Sequence, residues 1–156
     1  MGLRQPDSRT CGAACLVVAA GPPYDVAGFA PTVLAAHRRL TRSRLHGRWQ
    51  VPWPRVIGTP PWAVARELTA LTGVPHRVRL VRWSVPTVLP SGVLFVGNRW
   101  LPRHVVLVLE AGTAGRPRCY DPTRGRVVDV DLARLDRHEE RVGGWRYPWF
   151  SVVPRT

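Results

Sequence analysis

Apolar and polar positions divide the chain into a first part with helical patterns and a second part with strand patterns. Before Gly73 the apolar runs are long or recur at helical spacing, and Gly or Pro residues bound them. After Gly73 the runs become short or alternate, and most are separated by Gly or Pro turns. The pattern therefore predicts one α+β domain over residues 1–156, helical over 1–73 and strand-rich over 74–156.

Three helices are expected in the first part, with a loop between the second and the third. The predicted helices cover Cys11–Ala20, 30–43 and 62–72, and the loop covers 45–61. Asp7, Ser8 or Thr10 could cap the start of the first helix, and Gly21-Pro22-Pro23 stops it. Gly73 ends the third helix, as glycine commonly does.

The second part predicts an antiparallel sheet on which the helices pack. The expected strands cover 76–83, 93–96, 104–110, 116–120, 127–130 and 149–153, with one short helix or turn at 131–137. Apolar runs of this length, separated by turn residues, are typical of half-buried or buried strands.

The chain is strongly basic. The chain has 23 basic residues, all of them Arg, against 10 acidic ones, which gives a net charge of +13. Such a field favours an anionic partner on an Arg-rich surface, for example along the run from Arg38 to Arg48. The partner could be nucleic acid, an acidic protein surface or anionic lipid. The chain shows no named nucleic-acid-binding motif that would decide among them.

Cysteine count and hydropathy exclude several classes of protein. Three cysteines with no CxxC pair predict neither a disulfide framework nor a zinc site, and no metal or cofactor is expected. No apolar run reaches transmembrane length, so no integral membrane segment is expected. The expected location is cytoplasmic, or exported without a classical signal peptide.

Four residues form a candidate catalytic set. Cys11 begins an apolar helix, where the helix dipole and free N–H groups stabilise a thiolate. Gln5, six residues earlier, could place its amide beside the thiol and form an oxyanion hole with the Cys11 N–H. His104 begins a strongly apolar strand, which would hold a general base rigidly. Asp121 ends the next strand.

A hairpin would bring His104 and Asp121 together. The strand that starts at His104 and the strand that ends at Tyr120 flank a turn at 112–115. In a roughly symmetric hairpin the start of the first strand faces the end of the second. The carboxylate of Asp121 could then hold the imidazole in one tautomer.

The order Gln5, Cys11, His104, Asp121 resembles that of papain-like cysteine peptidases. The segments 5–20 and 103–125 are similar to peptidase family C39 and its stand-alone relatives, some of which cut after a double-glycine leader. The resemblance implies a papain-like fold and a peptide or protein substrate. It also implies that Cys11 is the nucleophile, His104 the base, Asp121 the orienting residue and Gln5 the oxyanion donor.

Other residues carry separate expectations. Cys15 and Cys119 are expected in the core, although a regulatory disulfide between Cys11 and Cys15 stays open. Gly143-Gly144 predicts a simple turn, with self-processing after the second glycine as the alternative. Three tryptophans are candidates for a substrate groove, with core packing as the alternative for each: Trp49, Trp53 and Trp100.

Three functions are consistent with these patterns. The first is a cysteine peptidase that hydrolyses peptide bonds through a thioacyl-enzyme. The second is a papain-like deamidase or transglutaminase, used as an effector or toxin, with the same triad. The third is a non-catalytic Arg-rich binding module in which the triad is inactive.

Overall fold

A computed structural model describes residues 3–21, 26–51 and 58–155. The helices are α1 (Cys11–Ala20), α2 (Val26–Leu40), α3 (Pro61–Thr72) and α4 (Leu132–Asp136). The strands are β1 (Arg44–Leu45), β2 (Arg48–Trp49), β3 (His76–Leu80), β4 (Gly92–Gly97), β5 (Pro102–Thr113), β6 (Arg116–Asp121), β7 (Arg126–Asp129) and β8 (Tyr147–Pro154). The chain is thus α+β with its larger helices N-terminal, as predicted.

The helix ends follow local signals. α1 has the predicted bounds and stops at Gly21, whose φ is 74°. α3 starts with a proline in its first turn and ends at Gly73, which takes the left-handed conformation at φ 72°. The prolines after Gly21 and the tryptophan at position 53 lie outside the described residues.

The predicted bounds of α2 were wrong. The helix runs over Val26–Leu40 and contains Pro31, instead of covering 30–43. Its end is held by a residue 10 positions beyond Leu40, because the buried Gln50 amide donates to the Leu40 and Arg42 carbonyls at 2.9 and 2.7 Å. These carbonyls at the end of the helix would otherwise lack a partner.

The predicted loop over 45–61 is also only partly a loop. It contains most of a small hairpin, in which His46 and Gly47 join β1 to β2. Both turn residues have positive φ, 49° and 73°, which suits a tight two-residue turn. Residues 52–57 of that predicted loop lie outside the described part of the chain.

All six remaining strands form one antiparallel sheet in the order β3-β8-β4-β5-β6-β7. The last strand, β8, lies between β3 and β4, so it is an interior strand of the sheet and leaves β3 at the edge. Side chains that alternate along β5 enter two apolar clusters. Val105 and Leu107 pack with α1, α2 and α3, whereas Val106 and Val108 pack with α4. Helices therefore cover both faces.

A buried carboxylate joins the helices to the small hairpin. Glu67 on α3 accepts two hydrogen bonds from the Arg39 guanidinium, at 3.0 and 2.8 Å. It also bonds His46 Nε2 at 2.6 Å. Burial by itself would raise the pKa of Glu67, but the bonds from Arg39 and His46 hold it below its ordinary value.

Within these described ranges, no helix is long and apolar enough to cross a membrane. The same residues contain no group of three or more His, Cys, Asp or Glu side chains that could hold a metal ion.

We expect Glu67→Gln to lower the free energy of unfolding at pH 7 by about 2 kcal/mol, because the bidentate partner of Arg39 loses its charge. The lowered pKa means that this stabilisation is complete above the unfolded-state pKa and disappears as the pH falls. Urea unfolding at pH 7 and pH 3 measures both effects. Glu110→Gln is the control, because its ion pair with Arg118 is exposed on both sides and should contribute less than about 1 kcal/mol. Equal losses of unfolding free energy in the two variants would contradict a special contribution of the buried Glu67.

Candidate active site

Cys11 is the first residue of α1 and is buried. Thr10 precedes it as the N-cap residue, but no side chain caps the helix from that position. The Thr10 hydroxyl instead donates to the Asp7 carbonyl at 3.2 Å, and the Asp7 carboxylate accepts from the Arg9 N–H at 2.8 Å. The capping predicted for Thr10 is therefore wrong, because its hydroxyl closes the preceding turn.

His104 and Asp121 are in contact, as the hairpin argument predicted. His104 Nε2 lies 2.9 Å from Asp121 Oδ1, and both side chains are almost fully buried, at 4% and 1% exposure. Because a carboxylate only accepts, the Nε2–H donates to it. Nδ1 is then the ring nitrogen left for Cys11.

The register that produces this contact is not the symmetric one. At the turn Thr113 pairs with Arg116, whereas further along Leu107 pairs with Tyr120, because β5 contains two bulges. Each bulge adds one residue to β5 and shifts the pairing by one. In this register Asp121 lies opposite Val106, two residues after His104 on β5 and therefore on the same face of the sheet. The contact between His104 and Asp121 is thus a diagonal one across the two strands.

Asp121 is held from three directions. Besides His104, its Oδ1 accepts from the Thr123 N–H at 3.0 Å, and the Arg124 Nε lies 3.9 Å from Oδ2. Burial by itself would raise the pKa of Asp121, but the hydrogen bond and charge of His104, with smaller effects from Thr123 and Arg124, lower it. The group is therefore an anion at neutral pH.

His104 has the opposite shift. Burial by itself would lower its pKa, but the hydrogen bond to Asp121, followed by the interaction with the Cys11 side chain, raises the pKa to about 9. At neutral pH the ring is therefore protonated on both nitrogens and lies between a carboxylate and a sulfur. A protonated imidazole beside a cysteine favours the thiolate, which is the nucleophilic form.

The backbone of a two-residue turn lies against the His104 ring. Val142 and Trp145 exchange both backbone hydrogen bonds, at 2.8 and 3.0 Å, across Gly143 and Gly144. The turn predicted at these glycines is thus confirmed. A Cβ added to Gly143 would overlap the ring of His104 at Cδ2 and Nε2, so the glycine lets the backbone lie against the imidazole. The glycine pair predicted the turn, but nothing in it pointed to the histidine.

A cavity of about 260 Å³ opens onto Cys11 and His104. It is lined by Ser8, Arg9, Cys11, Gly58, Thr59, Pro61, Phe95, Leu101, Pro102, Arg103, His104, Val105 and Trp145. Among these, no side chain is a carboxylate. The volume is near the lower end for a ligand pocket, and suits a side chain or two of a peptide better than a large ligand.

Thr59 is a wall residue that sequence reasoning missed. Its hydroxyl oxygen is buried and has no hydrogen-bond partner. A Cβ on Gly12 would lie 2.7 Å from Thr59 Cβ, so the glycine after Cys11 lets this threonine approach the start of α1. An unpaired buried hydroxyl in a cavity wall is available to a ligand.

Gln5 lies near the site without lining the cavity. Its backbone N–H donates to the Pro122 carbonyl at 2.8 Å, so it sits beside the loop that follows Asp121. Its amide Nε2 donates to the Asp7 carbonyl, and its Oε1 is buried without a partner. An oxyanion role for Gln5 requires the amide to turn away from Asp7, and it stays a prediction.

The remaining cysteines are buried, as predicted. Cys15 Sγ lies 3.6 Å from the Val105 carbonyl, and Cys119 is fully buried in the cluster on the other face. All three cysteines are free thiols, so no disulfide joins Cys11 to Cys15. Neither Trp49 nor Trp100 lines the cavity.

Comparison of the chain with protein-family models and with curated protein sequences finds no match.

We expect Gly143→Ala to lower the rate of Cys11 alkylation at least 10-fold, because the new methyl group must displace the His104 ring. Iodoacetamide labelling followed by peptide mapping measures the rate at Cys11. Gly144→Ala is the matched control. Gly144 also has a positive φ, 89°, but a Cβ there meets nothing within 4 Å. Similar losses in both variants would mean that backbone strain, and not contact with His104, is responsible.

Proposed function

We propose that this chain is a cysteine hydrolase that cuts peptide bonds through a thioacyl-enzyme intermediate. One observation carries the proposal: the buried His104 imidazole is held by Asp121 through Nε2 at 2.9 Å and interacts with Cys11, next to a cavity. A nucleophile, a base in contact with it and a third group that orients the base make up the general pattern of covalent catalysis. The resemblance to peptidase family C39 supports the same assignment.

In the proposed first step, Cys11 attacks a peptide carbonyl. His104 already carries the proton from Cys11, and the thiolate sulfur forms a bond to the carbonyl carbon as the C=O π pair moves onto the oxygen. Asp121 keeps the imidazole oriented and stabilises its positive charge without taking the proton. The tetrahedral intermediate then collapses, the C–N bond breaks, and His104 gives its proton to the leaving amine.

In the second step, water releases the acyl group. His104 takes a proton from a water molecule as the water oxygen attacks the thioester carbon. The C–S bond breaks, Cys11 recovers a proton, and a carboxylic acid leaves. The site needs no electron transfer and no external reactant besides water.

The oxyanion formed in both steps needs hydrogen-bond donors. The Cys11 N–H at the start of α1 is one, and the helix dipole supports it. The predicted second donor is the Gln5 amide. Thr59 offers a hydroxyl without a partner in the wall of the same cavity, and is the alternative.

The cavity wall supports a peptide substrate. Phe95, Leu101 and Trp145 supply apolar surface, whereas Arg9 and Arg103 supply positive charge. This mixture fits a polypeptide segment whose side chains are partly apolar.

We expect rapid and selective alkylation of Cys11 by iodoacetamide at pH 6. Cys15 and Cys119 serve as internal controls, because burial raises the pKa of each, to about 12 for Cys119. The His104→Gln variant should lose at least 10-fold in labelling rate at Cys11. Equal labelling of all three cysteines would mean that the site holds no activated thiolate.

We also expect Cys11→Ala to abolish cleavage of a peptide library, with Cys119→Ala as the control that keeps activity. New amino termini, detected by mass spectrometry, report hydrolysis of the chain. Release of ammonia from glutamine-containing peptides without new termini would replace the peptidase proposal by deamidation.

The two candidate oxyanion donors can be separated with Gln5→Ala and Thr59→Val. We expect Gln5→Ala to lower kcat about 100-fold with little change in KM, as for the loss of a donor used in the transition state. Thr59→Val has nearly the same shape and should have a smaller effect. An unchanged kcat in Gln5→Ala, together with a large loss in Thr59→Val, would transfer the role to Thr59.

A further inference from the structure

A second cavity, larger than the one at Cys11, lies between the β1–β2 hairpin, α3 and the edge strand β3. It has a volume of about 660 Å³. Its wall consists of Leu45, His46, Arg48, Trp62, Ala65, Arg66, Thr69, Ala70, Pro75, His76, Arg77, Val78 and Arg155. We refer to it as the arginine cavity, because four of these residues are arginines.

The four arginines come from four separate parts of the chain. Arg48 lies on β2, Arg66 on α3, Arg77 on β3, and Arg155 follows β8. The Arg155 N–H donates to the Pro75 carbonyl at 2.8 Å, and Arg66 Nη1 donates to the Trp49 carbonyl at 2.8 Å. These two bonds fix the C-terminal segment and the hairpin on either side of the cavity.

The positive charge of this cavity is not neutralised. None of the residues in its wall is acidic. In the described ranges, no carboxylate forms an ion pair with any of the four arginines, and the nearby Glu67 is already bonded to Arg39 and His46. Like charges around one concave surface repel each other, so a bound anion would relieve the repulsion.

The wall also offers an aromatic surface. Trp62, the second residue of α3, is partly buried and lines the cavity. Guanidinium groups match the oxygens of a phosphate, and an indole ring can stack on a nucleobase. An acidic peptide would satisfy the arginines but would not use the ring. The net charge of +13 further favours a polymer whose charge continues beyond the cavity.

We propose that the arginine cavity binds single-stranded nucleic acid, with phosphates on Arg48, Arg77 and Arg155 and a base against Trp62. This site is separate from the cavity at Cys11 and does not depend on the proposed hydrolase activity. Binding should therefore survive the Cys11→Ala substitution.

The test measures fluorescence anisotropy of a labelled 12-nucleotide oligothymidylate, with the Cys11→Ala chain as the parent protein. A triple variant, Arg48→Gln with Arg77→Gln and Arg155→Gln, should bind at least 10-fold more weakly. Its salt dependence should also fall, by about 2 in the slope of log K against log salt, if three phosphate contacts are lost. Trp62→Leu should weaken binding about 10-fold, with thermal unfolding as the check of the fold.

The control removes the same charge elsewhere. Arg99→Gln with Arg126→Gln and Arg146→Gln changes three exposed arginines that do not line the arginine cavity, and should weaken binding less than about 3-fold by its effect on the general field. Equal losses in the two triple variants would overturn the proposal, because net charge alone would then explain binding. Tighter binding of poly-glutamate than of the oligonucleotide, or no binding of either, would overturn it as well.

Discussion

The buried hydrogen bond between His104 and Asp121 is the contact on which the rest of the site depends. Both groups are almost inaccessible to water, and an unpaired carboxylate in the place of Asp121 would cost several kcal/mol. The bond therefore constrains the pairing of β5 with β6, because a slip of one residue would turn one of the two side chains to the other face. The two bulges in β5 are what make the register compatible with this contact.

The same bond explains why the site needs elements from both faces of the sheet. α1 packs on the face that holds Val105 and brings Cys11 beside the start of β5, whereas the turn at Gly143 comes from the side that α4 covers. The His104 ring is thus fixed by Asp121, by the Gly143 backbone and by Cys11. A base held in this way keeps its orientation without reorganisation during a reaction, which is the condition for efficient proton transfer.

Helix α3 contributes residues to both the cavity at Cys11 and the arginine cavity. Pro61, its first residue, lines the cavity at Cys11, and the next residue, Trp62, lines the arginine cavity. Glu67, one to two turns further on, holds the hairpin that contributes Arg48. The two proposals therefore concern neighbouring surfaces of one helix, although each is tested by different residues and a different measurement.

Local chemistry determined most of the secondary structure and the residues of the candidate site. Helix α3 begins with a proline in its first turn and ends at Gly73, and helix α1 is an apolar run that ends at Gly21. A glycine turn makes β5 and β6 a hairpin, so the contact of His104 with Asp121 could be expected from the sequence alone. Only the tertiary structure decided the end of α2 at Leu40, where the Gln50 amide bonds the last carbonyl, and the insertion of β8 into the sheet. It also decided the contact of Gly143 with His104 and that of Thr59 with Gly12. The reason is physical: a cap, a turn or an apolar period acts over a few residues, whereas these contacts join residues ten or more positions apart and form only when the core packs.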